Sequence, residues 1–262
     1  MLEMSGIGKS IRMRRILSQS GTVIVPIDHP IEGYYPELEE PNRLAREFVE
    51  AQVDAILVRR GTLFRVYDTV AGKMGIIYRT TGATGTSPDP SYQVLLSSVR
   101  EALRLGADAI VDTVTIGHPK EHEMFHWFGM LSDEAHQQEL PLVGETEVWS
   151  KISENRAELT RQGVRSLGEE GADLVKCYFP DDLDYYSKIV KYSLVPVVAA
   201  GGPKMKSERE VLEFVKRIMD AGSVGTCIGR NIWQNSEPKK IIKAISRIVK
   251  EHASVNEALT TL

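Results

Sequence analysis

The sequence predicts a single (β/α)8 barrel spanning residues 1–262, with an extra helix at the N-terminal end. Three observations carry this. Eight short, nearly continuous apolar runs recur along the chain, and longer segments of helical period separate several of them. Strands apolar on both faces and alternating with helices belong to parallel sheets covered by helices. Three helical segments also end alike, in "LGADAIV", "EGADLVK" and "AGSVGTC", with Gly106, Gly171 and Gly222 where a helix turns left-handed before a strand. Finally, 262 residues of which 42% are apolar match one barrel-sized core.

The elements follow in order. Residues 7–17 read as a helix closing the barrel bottom. The eight runs are residues 22–28 (TVIVPID), 55–59 (AILVR), 75–79 (GIIYR), 109–114 (AIVDTV), 141–147 (PLVGETE), 173–179 (DLVKCYF), 196–200 (PVVAA) and 224–229 (VGTCIG). Helical period is expected over 91–105, 120–138, 155–170, 207–221 and 237–251; in the first, Val94, Leu95, Val99, Ala102 and Leu103 form one stripe.

Bulk chemistry narrows the function. A net charge of −4 gives no basic excess for nucleic acid. No apolar run approaches the roughly 20 residues that span a bilayer, and the charged start "MLEMSGIGKSIRMRR" lacks a signal-peptide core. Cys177 and Cys227 show neither metal spacing nor a disulfide framework. A soluble cytoplasmic protein is expected.

The chemistry of such barrels sits at the C-terminal ends of the strands. Lys176 interrupts an apolar strand there. Strand alternation places Leu174 and Lys176 inward and Val175 and Cys177 against the helices. Burial is expected to lower the lysine pKa, giving a free amine able to form an iminium with a ketone. The plainer alternative is a lysine reaching water from a strand end. Gly201, Gly202 and Lys204 ("AAGGPK") after strand 7, with Gly229 and Arg230 ("CIGRN") after strand 8, occupy the usual phosphate site of these barrels. The alternative is ordinary turn chemistry. Asp28, at the end of strand 1, shares a face with Ile24 and Pro26 and suits proton transfer or a turn cap. His29 beside it is expected to face the helix layer. His118, His122 and His126 stand at four-residue spacing, but Pro119 and the lack of a matching carboxylate leave no zinc site expected.

The segments "TVIVPIDH", "TSPDP", "GADLVK", "PVVAAGGPK" and "GRNIWQ" resemble the archaeal-type class I aldolases, which include fructose-bisphosphate aldolase, aldolase-like synthases and the thiolase acting on phosphorylated autoinducer. The resemblance runs over nearly the whole chain. It implies that Lys176 forms the Schiff base, that Asp28 is a site residue, and that Gly201, Gly202, Lys204, Gly229 and Arg230 hold phosphate. The iminium is itself the electron sink, so no metal or cofactor is expected. It also implies a homodecamer of two five-fold rings, for which Tyr178, Phe179, Tyr185, Tyr186, Trp127 and Phe128 offer candidate contacts.

The chain departs from the family where the chemistry is decided. The family has an acid/base tyrosine at the end of strand 5, in a segment like "MMYPRG"; this chain reads "GETEVW", with Glu147 at that position and Glu145 on the same face. The family's "HVN" is here "TVT", and its His-Lys-Gly after strand 2 is "RRG", Arg59 and Arg60. Glu147 and Glu145 are therefore candidates for proton transfer, for balancing Arg59, Arg60 or Lys176, or for binding a substrate ammonium. The expected function is aldol cleavage or synthesis on a phosphorylated ketose. The alternatives are thiolase-type acyl transfer on a phosphorylated diketone and a barrel that binds ligand without catalysis.

Overall fold

A computed structural model describes residues 6–180 and 182–262. Eight parallel strands close into a barrel in chain order: β1 (Thr22–Pro26), β2 (Ala55–Val58), β3 (Gly75–Arg79), β4 (Ala109–Ile116), β5 (Leu142–Val148), β6 (Leu174–Tyr178), β7 (Val197–Ala200) and β8 (Gly225–Cys227), with β8 pairing back onto β1. Inward residues, among them Ile24, Leu57, Ile77, Val111, Val143, Leu174, Val198 and Cys227, form one apolar plug. Outward residues such as Val175 and Cys177 join the larger core beneath the helices. The expected alternation of β6 is therefore observed.

The N-terminal helix α1 (Ile7–Ile16) caps the bottom: Ile16 enters the interior plug and Met13 and Leu17 pack beside it. Gly75 permits this approach, since a Cβ there would lie 2.5 Å from Ile16 Cγ2 and 2.8 Å from the Arg15 carbonyl. Gly106, Gly171 and Gly222 all take positive φ, at 76°, 92° and 100°, as the helix-end reading requires. Among the described residues no helix is long and apolar enough to cross a membrane.

One expected helix is corrected. The segment 91–105 is helical only over Val99–Arg104, where the Ser98 side chain caps the backbone N–H of Glu101. Val94 and Leu95 instead pair antiparallel with Gly82 and Thr81. Their helical spacing was real, but tertiary pairing across the barrel mouth decided their conformation. The aromatic residues considered for subunit contact differ in burial. Phe128, Phe179 and Tyr186 are core, Trp127 and Tyr185 pack partly buried against it, and Tyr178 opens into the barrel mouth.

Candidate active site

The strand ends converge on a cavity of about 280 Å³ at the C-terminal mouth. Nearly all its walls are polar. Asp28 and His29 come from the β1 end, Arg59 from β2, Arg79 from β3, Thr113 from β4, Glu145 and Glu147 from β5, Lys176 and Tyr178 from β6 and Arg230 from the β8 loop. The segment after β3 covers one side through Ala83, Gly85, Pro90, Ser91 and Gln93. It is pinned by Asp89, which accepts from Trp149 Nε1 at 3.1 Å and from His118 Nε2 at 3.2 Å. His118 Nδ1 accepts the Lys120 backbone N–H, so the ring proton lies on Nε2 and faces Asp89. His118 thus anchors this strap. Among the described residues no group of three or more His, Cys, Asp or Glu is placed to hold a metal ion.

At the floor, four buried charged groups form a chain. Arg79 Nε donates to Asp28 Oδ2 at 2.8 Å, and Arg79 Nη1 pairs with Glu145 Oε2. Lys176 Nζ pairs with the other Glu145 oxygen, and Thr113 Oγ1 donates to Glu145 at 2.9 Å. The strand register sets this up directly, since Glu145 and Lys176 are partners across β5 and β6. Arg59 donates to the carbonyls of Asp28, at 3.1 Å, and Thr81, at 2.9 Å.

These contacts fix the protonation states, and one expectation is reversed. Burial alone would lower the Lys176 pKa, but the adjoining Glu145 carboxylate outweighs it and raises the value. Lys176 therefore rests as an ammonium. Burial would raise Glu145, yet Arg79 and Lys176 together hold it well below the usual carboxylate range. Asp28 is likewise lowered: Arg79, then His29 and Lys176, offset its burial. Glu147 differs. It is half-buried, and burial followed by the repulsion of Glu145 pushes its pKa up to about 7. Burial draws His29 down to about 4, so its imidazole is neutral at pH 7.

The structure brings together Asp28, Arg59, Glu145, Glu147, Lys176 and Arg230. Gly201, Gly202 and Gly229 lie on the loops after β7 and β8 and are not part of the cavity lining. Two candidates fall outside. Lys204 is solvent-exposed and donates to the Gln234 carbonyl at 2.7 Å, because its loop turns away after Pro203. Arg60 begins the helix after β2 and faces Glu101 at 3.4 Å. His29 is also corrected. It starts a short 3-10 turn, where strand alternation ends, and its ring lines the cavity edge-on to Trp233, with centroids 5.3 Å apart. Sequence reasoning missed Arg79, although counting by twos from Gly75 and Ile77 puts it on the inward face. It also missed Glu32, Ser91, Gln93 and the inward direction of Tyr178, all of which line the cavity.

A parallel eight-stranded barrel with a buried lysine and several carboxylates at its mouth has the layout of a barrel with its site at the C-terminal strand ends. The chain belongs to the DeoC/LacD aldolase family, whose model matches residues 22–235. It is 31% identical to the 2-amino-3,7-dideoxy-D-threo-hept-6-ulosonate synthase 1 of Archaeoglobus fulgidus, over 97% of this chain and 95% of that one. It is also 31% identical to the fructose-bisphosphate aldolase class 1 of Thermoproteus tenax, covering 90% and 92% of the two chains. A solved structure of the Schiff-base-forming fructose-1,6-bisphosphate aldolase superposes with a TM-score of 0.84 at 30% identity, over 92% of this chain and 99% of that one. The resemblance to archaeal-type class I aldolases therefore holds.

Proposed function

We propose that this chain is a class I, Schiff-base-forming aldolase or synthase that breaks or makes a carbon–carbon bond in a phosphorylated ketose or a related phosphorylated dicarbonyl. The observation that carries the reading is Lys176, buried at the barrel mouth, paired with Glu145 and facing a polar cavity. The family relatives named as fructose-bisphosphate aldolase and ulosonate synthase support it.

Each residue then has a task. Lys176 must lose a proton before it attacks a carbonyl. Glu145 is a poor acceptor, because Arg79 stabilises its charge. Glu147, with its pKa about 7, is the carboxylate able to take and return protons near neutrality. Asp28 stays ionised against Arg79 and orients hydroxyl groups of the substrate. Arg230 Nε is buried without a hydrogen-bond partner among the described residues, as a group awaiting an anion would be. It lines the cavity beside the glycines of the β7 and β8 loops, which supports a phosphate there.

The test is reductive trapping. Borohydride with a panel of phosphorylated ketoses and diketones should add the mass of the reduced substrate to the peptide carrying Lys176. An adduct on another lysine, or none with any substrate that is turned over, would remove the Schiff-base reading. Product analysis with and without coenzyme A separates aldol cleavage from acyl transfer.

A further inference from the structure

The family tyrosine on β5 is absent, but a phenol stands on the next strand. Tyr178 follows Lys176 by two residues on β6, so the two side chains share the inward face. It lines the cavity with Lys176 and Glu147 and is 41% exposed, whereas its neighbours Cys177 and Phe179 are buried under the helices. Among the described residues Tyr178 is the tyrosine that lines the cavity, while two phenols on neighbouring elements are committed elsewhere: Tyr78 donates to Ser97 at 3.0 Å, and Tyr186 shares a hydrogen bond with Ser223 at 2.7 Å. The β5–β6 register pairs Glu145 with Lys176 and Thr146 with Cys177. One rung further along these parallel strands, Glu147 and Tyr178 stand side by side.

We propose that Tyr178 is the phenolic proton donor of this site and works as a pair with Glu147; the proposal rests on the Schiff-base reading above. The charge of Glu147 is the largest influence on the Tyr178 phenol and, with partial burial, keeps it protonated. Lys176 gives its ammonium proton to the Glu147 carboxylate, and the free amine adds to the carbonyl carbon. The C=O π pair becomes an alkoxide that takes one N–H proton, giving a neutral carbinolamine. Its C–O bond breaks while the nitrogen lone pair forms C=N. Tyr178 passes its proton to the departing hydroxyl, which leaves as water. The phenolate takes a proton from the Glu147 carboxyl. The resulting carboxylate then removes the hydroxyl proton at the carbon that becomes the product aldehyde. The electrons of the broken carbon–carbon bond enter the iminium as an enamine. The tyrosine of the pair has thus moved one strand while keeping the same cavity.

The experiment uses Tyr178→Phe and wild type with the ketose phosphate that wild type turns over. Borohydride reduces the iminium and not the carbinolamine, so the rate of trapping reports dehydration. Tyr178→Phe should fold as wild type does, keep KM, and form the trapped Lys176 adduct about 10²–10⁴-fold more slowly. A wild-type trapping rate in Tyr178→Phe overturns the proposal and leaves the Schiff-base reading standing. No Lys176 adduct in wild type overturns both. A raised KM with an unchanged trapping rate would make Tyr178 a binding residue and also overturn it.

Discussion

The two ends of this barrel use the same charged residue types in opposite ways. At the bottom, the aspartates directly before β2, β4 and β6 repeat one arrangement. Asp54 accepts the Val23 N–H at 2.8 Å and faces Lys250; Asp108 accepts the Ile76 N–H at 3.0 Å and faces Arg15; Asp173 accepts the Leu142 N–H at 2.9 Å and faces Lys9. Each carboxylate there has one backbone donor and one cation. At the mouth, Glu145 holds two cations while Glu147 has its pKa raised to about 7. Arg230 Nε has no hydrogen-bond partner among the described residues. Satisfied charges lock adjacent strands together. Unsatisfied ones keep free energy in reserve for a ligand or a proton transfer. The difference teaches where to look in such a barrel: beside the paired chain at the mouth stand Glu147 and Arg230, the two groups that the network leaves out.

The sharpest way to break this comparison exchanges one lysine at each end for methionine. Lys176→Met should abolish turnover and borohydride trapping while the fold persists, since Arg79 still neutralises Glu145. Lys9→Met should keep kcat and KM but lower stability by about 2–4 kcal/mol, toward the low end for a broken buried pair because Asp173 retains some water contact. Denaturant titration and steady-state kinetics on both variants measure this. Turnover by Lys176→Met, or equal kinetic damage from Lys9→Met, would erase the distinction.

Next in size, Glu147→Gln should lower kcat about 10²–10⁴-fold, slowing both iminium formation, which needs a carboxylate to take the Lys176 proton, and the later cleavage, because glutamine cannot carry a proton. Rapid mixing that follows iminium and product separately checks it. A mutant normal in both phases would shift proton transfer to Asp28, Glu145 or Tyr178. Smaller again, Arg230→Ala should raise KM about tenfold or more for phosphorylated substrates, the loss of a charge-assisted pair, and much less for unphosphorylated analogues. Equal effects on both would move the anion site elsewhere.

How much of this the sequence could show follows from whether each signal is local. Strand positions, the helix-end glycines and the inward direction of Lys176 and Asp28 follow from periods of two and from left-handed turns, so they were legible. The ionisation of Lys176 was not, because it depends on Glu145, 31 residues earlier, meeting it across the β5–β6 register. Arg79 was missed for the same reason: its two carboxylate partners lie 51 and 66 residues away. Lys204 was misplaced because its loop's direction is set by contacts with Gln234 and Asn231, which no pattern in "GGPK" encodes.

The smallest effect sharpens the comparison through stability alone. Glu147 has its pKa raised to about 7, from an unfolded value near 4.5. A carboxyl shifted upward binds its proton more tightly in the folded state, so stability is greatest below the unfolded pKa. It is lost as pH rises from about 4.5 to about 7, where the folded chain must accept a poorly solvated charge. Glu147→Gln removes it. At pH 4 the variant and wild type should unfold at similar denaturant concentrations. At pH 8 the variant should be more stable by about 1–3 kcal/mol, a figure reduced from the full shift because Glu147 keeps contact with solvent. Asp112, fully buried and also pushed up to about 7, titrates in the same window but is present in both proteins, so the difference between them isolates Glu147. A stability difference that stays constant from pH 4 to pH 8 would show that Glu147 is compensated like the aspartates at the bottom, and the contrast between the two ends would fail at this residue.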